Sequence, residues 1–356
     1  MTTAYERVFV LGAGFTKAFL PESPLLIDDF GIQDLGKLFS RNSYSQLIFE
    51  SERRKYEDGR INFEALLTRL EGGMPYDISR GFSNEARLLQ QHLMKIFLSK
   101  IESAKRKGVQ HEKELKKFAH FCVFEKVDCI TFNYDDVLDQ ALWEVKPYHE
   151  IGDTHYWIPD SGYGFFMKPS ESCVGDLGSV FTDPPTALFK LHGSLNWRAK
   201  LGQSRPYDVD AILHHEGWRT SDVSISQYQT HDILLHLEHE PFIVPPVLSK
   251  SELAKEPILR LVWDRAFSCL FGENKEIIFV GYSFPLTDVT AGFLFGEAIH
   301  EKAIPKIVVV NKAEGAREKE AVMTSYRRIF PQLKNSQFCF NGAVAWIDGN
   351  LPGDLR

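Results

Sequence analysis

The side chains of this chain best suited to chemistry are an imidazole, a carboxamide and a carboxylate: His192, Asn133 and Asp135. Each follows an apolar run. Val127-Asp128-Cys129-Ile130-Thr131-Phe132 leads into Asn133-Tyr134-Asp135-Asp136, and Val137, Leu138, Ala141 and Leu142 then recur at helical spacing. Asn133 and Asp135 are therefore expected at the mouth of a strand-to-helix turn. In open α/β sheets ligands bind there, outside the carboxyl ends of the strands. Asp135 or Asp136 also suits a helix N-cap, but a cap does not account for Asn133 on the last residue or so of the strand. Ala187-Leu188-Phe189-Lys190-Leu191 is a second such run, closed by His192-Gly193-Ser194. A histidine at a strand tip can point into a crevice and exchange a proton near neutral pH; its plainer role is structural.

The elements that must carry these residues are legible as further strands with small or polar ends. Val8-Phe9-Val10-Leu11 runs directly into Gly12-Ala13-Gly14-Phe15-Thr16-Lys17. Glycines at Gly12 and Gly14 permit a tight turn and a close approach of backbone N–H groups to a phosphate. The third glycine of the dinucleotide fingerprint is missing, and Lys17 stands in its place. Glu276-Ile277-Ile278-Phe279-Val280 ends in Gly281-Tyr282-Ser283, and Lys306-Ile307-Val308-Val309-Val310 ends on Asn311. Strands alternating with helical patterns predict an α/β fold, a doubly wound, mostly parallel, Rossmann-like sheet. All these strand ends then share one edge, and Gly12, Ala13, Gly14, Phe15, Asn133, Asp135, His192, Gly281, Ser283 and Asn311 converge on one crevice. Gly14→Val is expected to block the approach to a phosphate with the fold kept. Gly342-Ala343-Val344-Ala345-Trp346-Ile347 reads as an added edge strand, and Pro241-Phe242-Ile243-Val244 as a short strand stopped by Pro245-Pro246.

The whole chain, 1–356, reads as a single domain with insertions. Phe63, Leu66, Leu67 and Leu70, then Leu89, Leu93, Ile96, Phe97 and Ile101, recur at helical spacing, with Ser83 or Asn84 as a cap. Residues 31–120 are read as a helical insertion, in which the charged stretch from Glu102 to Lys117 is a solvated helix or connection. Residues 20–30 read as a loop able to fold over a ligand, and 147–186 and 200–240 as irregular insertions. The second of these carries His214, His215, His231, His236 and His239, whose spacing fits no metal motif. The five cysteines, Cys122, Cys129, Cys173, Cys269 and Cys339, form no C-x-x-C pair, so reduced thiols and no structural zinc are expected.

Bulk properties narrow the function classes. The formal charge of −7 disfavours broad nucleic-acid binding, which needs a basic face. A hydrophobic fraction of 44% and a charged fraction of 25% are ordinary for a globular chain. Apolar runs are far shorter than a membrane span, and the first strand begins almost at once, so neither an anchor nor a cleavable signal is expected and a cytoplasmic location is. No G-x-x-x-x-G-K-[ST] loop is present, which disfavours P-loop nucleotide hydrolysis.

Gly12-Ala13-Gly14, Phe132-Asn133-Tyr134-Asp135, Lys190-Leu191-His192-Gly193-Ser194, Val280-Gly281-Tyr282-Ser283 and Asn311 occur in an order that resembles the sirtuin-like family. The likeness is closest to bacterial sirtuin-like proteins that hydrolyse NAD in anti-phage defence. The resemblance implies an NAD glycohydrolase that takes NAD as substrate and yields nicotinamide and ADP-ribose. It implies that Gly12, Ala13 and Gly14 hold the pyrophosphate and that Asn133 positions the nicotinamide ribose or the attacking water. Asp135 would meet the carboxamide and His192 would be the general base. Gly281 and Ser283 would line the adenosine side, and Asn311 would approach the adenine ribose. It further implies a homo-oligomer, or a separately encoded partner, that holds the activity in check. Two departures stand out. The paired cysteines of the deacylases' zinc module are missing, and Asp28-Asp29-Phe30-Gly31 lies where deacylases carry an arginine loop. Protein deacylation is therefore disfavoured. A regulatory subunit that binds NAD or ADP-ribose without turnover is the main alternative, and a nicotinamide dehydrogenase a weaker one.

Overall fold

Val8, Phe9, Val10 and Leu11 are β-branched, aromatic or branched aliphatic residues that suit a sheet covered on both faces. All four are buried in strand β1 (Glu6–Leu11). The structure, a computed structural model, describes residues 6–23, 39, 43–55, 61–71, 83–145, 157–165, 186–200, 211–212, 239–244, 256–272, 275–285, 288–299 and 305–353. In chain order the elements after β1 are α1 (Ala13–Phe19), α2 (Tyr44–Arg53), α3 (Phe63–Glu71), α4 (Ser83–Arg106) and α5 (Glu112–Phe124). Next come β2 (Asp128–Thr131), α6 (Val137–Trp143), α7 (Pro159–Gly162), β3 (Leu188–Lys190), β4 (Gly193–Lys200), β5 (Ala211–Ile212) and β6 (His239–Ile243). The last are α8 (Pro257–Leu270), β7 (Lys275–Val280), α9 (Val289–Ala298), β8 (Lys306–Val310), α10 (Ala316–Ile329), β9 (Phe338–Cys339) and α11 (Gly342–Asn350).

Six strands form one parallel sheet in the order β3-β2-β1-β7-β8-β9. The first three step outward on one side of β1, and the chain returns to lay β7 on the other. This is the doubly wound dinucleotide-fold order, with its topological switch point between β1 and β7. The five strands read from the sequence all lie in this sheet. Its two faces are covered by different helices. The Phe9 ring packs 4.7 Å from Phe118 of α5 and 6.2 Å from Trp346 of α11. Phe279, one register position out of phase with Phe9, packs 5.1 Å from Phe295 of α9 and 5.2 Å from Tyr326 of α10. Fully burying a phenyl ring contributes roughly 1.5–3 kcal/mol, so these layers hold the sheet against its helices. A second, antiparallel sheet has the order β5-β4-β6.

The chain falls into two compact units. One comprises Met1–Pro21, Val109–Ile243 and Leu253–Arg356 and contains both sheets; the other comprises Glu22–Gly108 with Val244–Glu252. The helices α2, α3 and α4 belong to the second unit, with Phe49, Leu66, Leu67 and Leu70 buried. The charged stretch around residue 110 is two helix ends. Lys105 and Arg106 sit in the last turn of α4, and Glu112 and Glu114 in the first turn of α5. Each sign complements the dipole of its own helix end. Within Glu102–Lys117 the described residues are exposed or half-buried apart from Ala104 and Leu115, and α5 buries Phe118, Phe121 and Cys122 only beyond it.

One strand assignment is corrected. Residues 342–347 are helical, with Ala343, Trp346 and Ile347 buried at helical spacing; the edge strand is Phe338–Cys339 instead. The loop at 24–30, the insertion residues 166–185 and 213–238, and Cys173 lie outside the described residues.

Candidate functional site

Register builds the site. Lys190, Thr131, Leu11, Val280 and Val310 form one row across the carboxyl edge of the sheet. Gly12, Gly281 and Asn311 are the next residue on their strands, while Ala13, Asn133 and His192 are the second. Gly14, Ser283, Phe15 and Asp135 follow within two more positions. The sheet thus brings every one of the sequence-predicted site residues to one edge.

At the switch point the two glycine turns interlock. Gly12 N–H donates to the Val280 carbonyl at 3.1 Å, and Gly14 N–H to the Gly281 carbonyl at 2.8 Å. A Cβ on Gly12 would lie 2.5 Å from the Tyr282 Cα, and one on Gly14 2.9 Å from the Gly281 Cα and oxygen. Gly281 has φ +65°, and a Cβ there would sit 2.2 Å from the Phe15 nitrogen. These glycines serve backbone-to-backbone contact first. The expectation that Gly14→Val leaves the fold intact is corrected accordingly, since the new side chain strikes main chain. The N–H groups of Gly12 and Gly14 are turned to β7, while Ala13 and Gly14 form the exposed crest of the turn. Phe15 faces inward, its ring 5.1 Å from Phe118. Beyond Gly281, Phe284 adopts φ +52°, unusual for an aromatic residue. Its ring is held by Tyr282, Phe295 and Tyr326 at 5.1–5.6 Å, leaving Ser283 exposed.

Asn133 and Asp135 are joined to the glycine turn through Thr16, a residue the sequence reading passed over. Asn133 Nδ2 donates to the Gly12 carbonyl at 2.9 Å and to Thr16 Oγ1 at 3.0 Å. A carbonyl can only accept, so the amide orientation is fixed and Oδ1 is the atom left to meet a hydroxyl or a water. Thr16 Oγ1 in turn donates to Asp135 Oδ2 at 2.7 Å, and Asp135 Oδ1 accepts from Val137 N–H at 3.1 Å. Asp135 is thus the acid that receives the first N–H of α6. Its carboxylate is buried with both oxygens engaged.

His192 closes the other side. Its ring lies 5.3 Å from Phe132 and 6.0 Å from Tyr134, the residues flanking Asn133. Phe132 stacks on Tyr282 at 4.6 Å, carrying contact across to the β7 turn. Trp263 Nε1 donates to the Leu191 carbonyl at 2.8 Å and pins the tip of β3. On β8, Asn311 gives Nδ2 to the Tyr282 carbonyl at 3.3 Å and receives Lys312 N–H at 3.0 Å.

Beneath this surface lies a buried polar network that sequence reasoning also missed. Lys190, fully buried, donates to the Asp135 carbonyl and to Asp139 Oδ1 and Oδ2 at 3.0 and 3.1 Å. Tyr163 donates to Asp139, Asn196 Nδ2 to the Tyr163 hydroxyl at 3.1 Å, and Ser194 to Asn196. Burial pushes the Asp139 carboxyl above its ordinary range; the Lys190 ammonium pulls it back, and the Asp136 carboxylate adds to the rise. Burial, and then the Asp139 charge, push the Tyr163 phenol well above its ordinary range. The available signal was a lysine and an aspartate inside otherwise apolar runs.

Among the described residues, no group of three or more histidine, cysteine or acidic side chains could hold a metal ion, and no helix is long and apolar enough to cross a membrane.

Fold and crevice define a doubly wound, Rossmann-like α/β protein with its polar strand ends gathered at the switch point. No family model matches the chain, and no curated protein matches it. Among solved structures, it is similar to a Sir2 homologue mutant in complex with ADP-ribose, at 12% identity over 93% of this chain and 96% of that one, with a TM-score of 0.35. A Sir2 homologue–NAD complex is 12% identical over 92% and 91% of the two chains, also at 0.35. A further Sir2 homologue mutant with ADP-ribose is 14% identical over 93% and 96%, at 0.36. Likeness this distant says nothing of chemistry, and the fold rests on the strand order and register given above.

Proposed function

We propose that the crevice at the β1–β7 switch point binds NAD and hydrolyses its nicotinamide–ribose bond, releasing nicotinamide and ADP-ribose. The observation that carries this reading is the meeting of Asn133 with the glycine turn, and of His192 with both neighbours of Asn133. The exposed Ala13–Gly14 crest faces the pyrophosphate, and Gly281, Ser283 and Asn311 lie toward the adenosine. Asn133 Oδ1 orients the water or a ribose hydroxyl. Asp135 acts through Thr16, setting Asn133, rather than by touching the carboxamide. Water attacks the ribose C1′, the bond to nicotinamide breaks, nicotinamide leaves as a neutral base, and His192 takes the proton from water. Such base assistance is typically worth roughly 10²–10⁴-fold. The finer reading is a cytoplasmic effector of anti-phage defence that depletes NAD. It would be held silent by homo-oligomerisation or by a separately encoded partner.

The test is incubation of purified protein with NAD and chromatography of the products, under activating conditions. His192→Ala and Asn133→Ala should each slow cleavage by roughly two orders of magnitude. The double variant should be little worse than the worse single, because the two residues serve one step. Equal rates in wild type and both variants would remove these residues from the reaction. NAD binding without cleavage under every condition would favour the regulatory-subunit reading.

A further inference from the structure

We propose that Lys190 is a positioning residue for this reaction: from β3 it clamps the Asp135 carbonyl, fixing the Asn133 turn relative to His192. The inference rests on the crevice being the NAD-cleaving site. Lys190 pairs with Thr131 across the β2–β3 ladder. His192 lies two residues beyond the one and Asn133 two beyond the other. The parallel β2–β3 ladder ends at this row, with the bond from Leu191 N–H to the Thr131 carbonyl at 3.0 Å. Beyond it, side chains and the backbone bond from Leu195 N–H to the Tyr134 carbonyl hold the two chain segments together.

Lys190 does so with all of its donors. An ammonium has three N–H groups, and here they meet three acceptors: the Asp135 carbonyl and both Asp139 oxygens. The preceding carbonyl, of Tyr134, accepts from Leu195 N–H at 2.9 Å, with Ser194 Oγ 3.2 Å away. Two consecutive carbonyls of the Asn133 turn are therefore held, one by the end of β3 and one by β4. From Lys190 the side-chain hydrogen bonds run on through Asp139, Tyr163 and Asn196 to Ser194. The network starts on the Asp135 carbonyl and ends on Ser194 of β4, next to Leu195, whose N–H holds the Tyr134 carbonyl.

Stability alone does not require this pair. Buried ion pairs can often be replaced by apolar residues of similar volume at little or no loss of stability, whereas removing one partner strands the other. A lysine on a fully buried strand therefore points to position rather than to packing.

The experiment compares wild type with the double variant Lys190→Met/Asp139→Leu, which removes both charges together. It reads thermal melting, kcat and KM for NAD cleavage, NAD affinity by calorimetry, and amide hydrogen exchange across residues 133–137. The proposal predicts a retained cooperative melt, KM and affinity within about twofold, and kcat lowered on the order of 10²-fold, the scale of an ångström-sized misplacement. It also predicts faster exchange at 133–137. Wild-type exchange and kcat in the folded double variant would overturn it. Loss of the cooperative melt would also overturn it, by making the pair a folding element. If wild type itself leaves NAD intact, exchange still decides: faster exchange upholds the clamp while the NAD reading falls, and unchanged exchange overturns the clamp.

Discussion

Gly281→Ala tests how the mouth of the crevice is built. The residue sits at φ +65°, and its new methyl would lie 2.2 Å from the Phe15 nitrogen and 2.4 Å from the Gly14 carbonyl carbon. Neither neighbour is the flexible end of a side chain. The left-handed backbone costs an alanine roughly 1–2 kcal/mol. Relief of the contact needs the two turns to part by more than an ångström, which breaks the 2.8 Å bond from Gly14 N–H to the Gly281 carbonyl; that loss adds about 1 kcal/mol. The sum is about 2–3 kcal/mol, a fall in Tm of roughly 3–5 °C for a chain of this length. Gly296→Ala is the matched control. It lies in α9, at a position where an added Cβ meets nothing within 4 Å, and should stabilise by about 0.5–1 kcal/mol. Calorimetric melts of both variants beside wild type give the answer. If Gly281→Ala melts with wild type, the turns do not interlock and the crevice mouth is not as described.

Other outcomes follow from the same contacts. Thr16→Val removes both the donor to Asp135 Oδ2 and the acceptor for Asn133 Nδ2; a loss of about 1–3 kcal/mol in urea denaturation is expected, and an unchanged midpoint would refute the link. Glu276 has a pH signature. Burial raises its carboxyl, but hydrogen bonds from Lys306 and Arg7 outweigh that and hold it below its ordinary value of 4.5. A depressed folded-state pKa gives stability that is present above the unfolded value and lost as pH falls through the folded one. Wild type should therefore exceed Glu276→Gln in urea midpoint at neutral pH, with the gap closing on acidification below about pH 4.5; a gap that widens instead would reverse the sign. Elemental analysis should find no stoichiometric structural metal, and about one zinc per chain would revive the deacylase reading.

The sheet was legible because its strands are short apolar runs ending in glycine or a polar residue, and the register then follows from parallel pairing. The helix at residues 342–350 was misread because Gly-Ala-Val-Ala-Trp-Ile is a short apolar run that fits either period; burial of Ala343, Trp346 and Ile347 shows the helical one. In the site, Asn133 and His192 stood out as polar residues at strand ends. Thr16 did not, since a threonine inside a helical turn looks like any other until its partners 117 and 119 residues away are known. Lys190 and Asp139 were hidden for the same reason: a buried charge is recognised by its partner, 51 residues off in sequence. The sequence marked Gly12 and Gly14 as a tight turn, but not that the turn seats against Gly281 and Tyr282, since that contact joins segments far apart in the chain.

The placement of β1 between β2 and β7 also sets the order of assembly. Arg7 and Glu276, paired across β1 and β7, are 269 residues apart. At about 5–20 residues per second of synthesis, β1 waits roughly ten seconds to a minute for its second neighbour. For that interval one edge of an apolar strand, Val8-Phe9-Val10-Leu11, lacks its partner, which makes the nascent chain a candidate for chaperone binding. The glycine turn cannot seat until Gly281 has left the ribosome. A chain halted before that point holds Asn133 and His192 but not the switch point between β1 and β7, so under the proposed reading synthesis itself withholds NAD cleavage from every unfinished copy.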